Sequence, residues 1–126
     1  MLFRSPRVTF SDADRRTRQT LLLNLYELEK TLGRARAAAR TATDAANKGG
    51  VSETGNQLAT LQADITTTLN TASGLSRAIE GYSGLPTTDQ RRQLDWAFQD
   101  ASKAIDALNR VLSTESQRTI VMPRRQ

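Results

Sequence analysis

Leu21, Leu25, Leu28, Leu32, Ala35, Ala39, Ala42 and Ala46 are spaced alternately four and three residues apart without a break. On a helix that spacing brings all eight onto one stripe, the seam that packs against other helices. It predicts a long first helix over 11–47. Ser11 offers an N-cap hydroxyl, and Asp12 and Asp14 in the first turn suit the positive end of the helix dipole. Gly33 lowers the propensity by about 1 kcal/mol relative to Ala, and Lys48-Gly49-Gly50 supplies the stop. The seam is leucine in its first half and almost free of side chain from Ala35 on. The alanine half can approach a neighbour closely but buries little, so it should be the weaker half.

Leu58, Leu61, Ile65, Thr68, Ala72, Leu75 and Ile79, flanked by Leu69, predict a second helix over 52–81, with Ser52 as its cap. Gly55, Gly74 and the run Thr66 to Thr68 weaken it by propensity, so packing has to hold it. The stretch from Gly81 to Pro86 reads as a loop. Thr87 with Gln90 repeats the capping-box pattern. Leu94, Phe98, Ala101, Ile105, Leu108 and Leu112 then predict a third helix over 88–114. Trp96 falls off that seam; it either covers the flank of the bundle or marks an outward contact, with flank cover the better account.

Short connections make consecutive helices antiparallel neighbours. The fold class is therefore all-α, an antiparallel up-down-up three-helix bundle over 11–115. Counting outward from each turn sets Leu21 level with Ile79, Leu94 against Leu75, and Ile105 against Leu61 and Ile65. Residues 11–17 then project about 10 Å beyond the second helix. Before the bundle, an extended segment over 1–10 carries Val8 and Phe10 on one side. After it, 116–126 reads as a flexible basic tail. The projecting end, with Val8, Phe10, Arg15 and Arg16, and the off-seam Trp96 form the candidate interaction surface.

The chain has 126 residues, enough for one modest core, and aromatics are 5% of it, so that core is Leu, Ile and Ala. With no cysteine and no histidine, thiolate chemistry is excluded and the commonest general base and metal ligand are missing. Neither a phosphate-binding loop nor a dinucleotide fingerprint is present. Glu27, Glu29, Asp64, Glu80, Asp95, Asp100 and Asp106 all lie off the seams, where solvation accounts for them. These observations predict no catalytic residue, no cofactor and no metal. The net charge of +5 is read first as a solvated mixed-charge surface. Arg34, Arg36 and Arg40 crowd the alanine half of the first helix and are the candidate basic patch for nucleic acid. No apolar run reaches the ~20 residues of a membrane span. No signal peptide precedes Phe10 either, so the chain as written is expected in the cytoplasm.

Pro6-Arg7-Val8, Ser11-Asp12-Ala13-Asp14, then Gln19 and the leucine run, resemble the start of the C-terminal helical region of bacterial sortilin-like, BNR-repeat propeller proteins, often labelled glycosyl hydrolases. Leu75-Ser76-Arg77-Ala78-Ile79-Glu80, Leu85-Pro86-Thr87 and Asp106-Ala107-Leu108-Asn109 are similar to its continuation, so the likeness spans residues 6–115. It implies a packing or protein-protein interaction domain of a secreted or periplasmic parent, whose propeller is absent here, so no functional residue carries over. Leu2-Phe3-Arg4-Ser5 resembles a translated sequencing adapter, which implies a truncated piece of a longer chain. The expected function is a non-catalytic helical module that binds the parent propeller or itself. The alternative is a free-standing basic helical protein that binds nucleic acid.

Overall fold

The computed structural model describes residues 11–82, 84–114 and 119–126, with Ser52 and Thr114 by backbone alone. The chain forms three helices, α1 (Asp12–Lys48), α2 (Ser52–Glu80) and α3 (Thr88–Thr114), with no strand among the described residues. They pack side by side as an all-α three-helix bundle. Val8 and Phe10 lie outside the described residues.

Each helix end has an identifiable chemical cause. At α1 the Ser11 hydroxyl accepts the Asp14 N–H and the Asp14 carboxylate accepts the Ser11 N–H, a complete capping box. At its far end Gly49 keeps helical angles and Gly50 takes the left-handed conformation, φ 77°. The Gly50 N–H then reaches the Asn47 carbonyl and the Val51 N–H the Ala46 carbonyl, closing a Schellman turn. The expected Ser52 cap is not formed. Val51 occupies the cap position without a side-chain bond, because the Schellman turn leads directly into α2 and places Ser52 inside the helix. At α3 Thr87 and Gln90 exchange both capping-box bonds.

The interior follows the three stripes. Leu25, Leu28, Leu32, Ala35 and Ala39 of α1 are fully enclosed together with Leu58, Ile65 and Ala72 of α2 and Leu94, Ala101 and Leu108 of α3. Leu21 is only half-buried and borders an open pocket with Asn24 and Arg91. Thr68 sits in the core with its hydroxyl donated to the Asp64 carbonyl, so the polar break in the α2 stripe is satisfied within its own helix.

Side-chain bonds report the register. Arg18 of α1 donates to the Ile79 and Glu80 carbonyls, at 3.1 and 3.3 Å, and the Ser73 hydroxyl donates to Glu29 at 2.7 Å. Residues 12–17 therefore extend past the end of α2. Arg18 also satisfies carbonyls that the terminus of α2 leaves open. Leu61, Asp64 and Thr68 of α2 line one groove with Asp100, Ala104 and Ala107 of α3. α1 packs most extensively on α2, α3 packs mainly on α2, and α1 and α3 touch least. A shallow groove is thereby left between α1 and α3.

Candidate interaction surfaces

Residues 119–126, read from sequence as part of a flexible tail, lie along that α1/α3 groove. The Asn109 carboxamide donates to the Ile120 carbonyl and accepts the Ile120 N–H, both at 2.7 Å. Ile120 and Met122 pack against the core. Arg125 pairs with Asp95 at 2.9 Å and its guanidinium lies 4.9 Å from the centre of the Phe98 ring. The Gln126 N–H donates to the side-chain oxygen of Asn24, a residue only 4% exposed. From Asn109 to Phe98 α3 rises about 16 Å, and the five extended steps from Ile120 to Arg125 cover about 17 Å. The segment is thus an extended strap running antiparallel to α3.

Neither asparagine was read from the sequence as a binding residue, although each carries a signal. Asn24 falls three residues after Leu21 and four before Leu28; Asn109 falls four after Ile105 and three before Leu112. A carboxamide on the flank of an apolar stripe is half-buried by position and requires a partner. The strap supplies it. That Ile120 and Gln126 are those partners is set by the tertiary fold.

At the projecting end of α1, Arg16, Thr17, Thr20, Leu21 and Asn24 border a pocket of about 330 Å³ with Arg91, Arg125 and Gln126. Arg16 therefore lies on this surface, beside two arginines the sequence reading passed over. Arg15 reaches Asp12 of its own helix at 3.6 Å, in a largely exposed pair. Trp96 is 54% exposed and does not border the pocket. Flank cover is therefore corrected to an outward-facing ring, since its place on α3 points away from both neighbouring helices.

The candidate basic patch divides. Arg36 and Arg40 border a groove of about 410 Å³ between α1 and α2, with Gly33 and Ala37 beneath them and Gln62 and Thr66 across. Arg34, two residues from Arg36 and thus on the far side of the helix, bonds instead to the Thr31 hydroxyl at 3.4 Å. Beside the α2 terminus, partial burial, a hydrogen bond to Glu80 and the charges of Glu80 and Glu29 raise the Tyr26 phenol above 10.0, opposed by Arg18.

Among the described residues no group of acidic side chains comes together to hold a metal ion. No helix there is long and apolar enough to cross a membrane. The α1/α3 groove holds the backbone of residues 119–126, and the α1/α2 groove presents positive charge. The chain matches no protein-family model, and neither a curated protein nor a solved structure shows significant similarity to it.

Proposed function

We propose that this chain is a non-catalytic helical-bundle module for protein-protein interaction, and that its α1/α3 groove takes an extended polypeptide segment. The observation that supports this reading is the pair of bonds from Asn109 to the N–H and the carbonyl of one strap residue, Ile120. A carboxamide that both donates to and accepts from a backbone recognises extension itself, independent of side chain. Specificity then comes from the apolar positions of Ile120 and Met122 and from the guanidinium held between Asp95 and Phe98. The ligand chemistry is an extended apolar segment followed by an arginine. A partner segment competes for this groove with the chain's own strap. The wider reading, a module beside the β-propeller of an exported parent, rests on the motif resemblance alone.

The test is a chain ending at residue 118, titrated with a synthetic peptide of residues 119–126. Saturable binding that raises the melting temperature is expected, and Asn109→Ala should weaken it about tenfold. If the shortened chain keeps its helices by circular dichroism yet ignores the peptide, the groove is not a recognition surface.

A further inference from the structure

Gly33 stands in the interior of α1, where glycine is a poor helix former. A Cβ built on it meets nothing within 4 Å, so close packing does not require glycine there. What the missing side chain leaves open is the floor of the α1/α2 groove. The walls carry cations and neutral polar groups: Arg36 and Arg40 from α1, the Gln62 carboxamide from α2, and the Thr66 hydroxyl, which donates to the Gln62 carbonyl of its own helix. Among the described residues, Arg36, Arg40 and the Gln62 carboxamide have no hydrogen-bond or ion-pair partner. No carboxylate borders the groove. Glu29, one turn before Gly33, is held by Ser73, and Asp64 borders the opposite, α2/α3 side of its helix. Asp44 lies a turn beyond Arg40 and outside the lining.

Two guanidinium groups four residues apart start from Cβ atoms about 5–6 Å apart. Each offers a planar fork of donors matched to the oxygens of a phosphate. Two forks one turn apart, over an open floor with the Gln62 carboxamide opposite, suit two linked phosphates better than one. We propose that the groove formed by Gly33, Arg36, Ala37, Arg40, Gln62 and Thr66 is an oxyanion site for a ligand carrying two linked phosphates. A free diphosphate joins its phosphates through one oxygen and a single-stranded nucleic acid joins them through a sugar; both offer phosphate oxygens to the two forks. The site is separate from the strap groove, and its occupancy does not depend on the strap.

Titration calorimetry of the full chain at low salt, with inorganic pyrophosphate and with a short oligothymidylate, tests the assignment. Binding of pyrophosphate supports a free-diphosphate ligand. Binding of the oligonucleotide alone, weakening steeply as salt rises, supports a nucleic-acid strand. In either case the double variant Arg36→Gln, Arg40→Gln should bind at least about tenfold more weakly. Gly33→Leu fills the floor with a better helix former and should weaken binding by a similar factor while the helices persist. Gly74→Ala, at an exposed helical glycine outside the groove, should leave binding unchanged. Absence of binding by both probes, or wild-type affinity in the double arginine variant or in Gly33→Leu, overturns the proposal. Strap-peptide binding by the shortened chain should survive all of these substitutions, so failure here is distinct from failure of the interaction reading.

Discussion

The two halves of α1 are buried to the same degree and stabilised to different ones. Leu25, Leu28 and Leu32 are fully enclosed, and so are Ala35 and Ala39. Enclosing a leucine removes a whole side chain from water, worth roughly 1.5–3 kcal/mol, whereas an alanine contributes little more than a methyl group. The leucine half also collects the polar devices of the bundle: Arg18 on the α2 terminus, Glu29 with Ser73, and Asn24 with the strap. The alanine half has close approach instead. There α2 begins directly after the Schellman turn, and a Cβ at Gly55 would run into the Asn47 side chain. Fractional burial alone therefore says little about where stability resides; the buried volume decides.

The largest effect should come from placing charge in the shared seam. Leu25→Asp or Ile105→Asp puts an unpaired carboxylate at a site with essentially no solvent access. Against a total stability of about 5–15 kcal/mol, either substitution should abolish cooperative unfolding. An unchanged thermal melt in either variant would sink the proposed seam. Next come two opposite changes that set the halves directly against each other. Leu28→Ala should cost about 2–5 kcal/mol by leaving a cavity, and Ala39→Leu about 1–3 kcal/mol by overfilling a tight contact. Denaturant titration of both gives the comparison. A neutral or stabilising Ala39→Leu would show slack in the alanine half and remove the contrast.

The smallest effect is a pH dependence confined to the leucine half. The folded state holds the Tyr26 proton more tightly than the unfolded chain does. The associated stability is fully present below pH 10 and is lost as pH rises from there through the folded-state value. Tyr26→Phe should flatten that part of the stability profile, measured as melting temperature against pH. An identical slope in wild type and variant would show that Glu80 and Glu29 leave this phenol unaffected.

Much of this architecture can be read from the stripes. Apolar positions three and four apart identify the helices, Ser11 with Asp14 and Thr87 with Gln90 mark two starts, and the glycine pair marks one stop. These are local signals, set by helix geometry within a few residues. The start of α2 at residue 52 was legible, but its cap falls on Val51 and not Ser52, because that depends on how the preceding turn closes. Trp96 was misread because an off-seam position does not say whether a neighbouring helix is within reach. The candidate sites were only half legible. Arg36 and Arg40 share a groove with Gln62 and Thr66, more than twenty residues away in sequence, while Arg34 is turned from it by helix rotation.

The sequence by itself determined three amphipathic helices, most of their caps, an aliphatic core and the contrast between the halves of α1. Each follows from residue type and spacing within one segment. Tertiary structure decided which flanks stay open. Because α3 packs mainly on α2, a groove remains beside α1. Two buried-flank asparagines and the Asp95–Phe98 ledge then hold residues 119–126 in that groove as a strap. Those contacts join positions as far apart as Asn24 and Gln126. Such pairings arise only once packing has fixed the helices in space, and no periodicity along the chain encodes them.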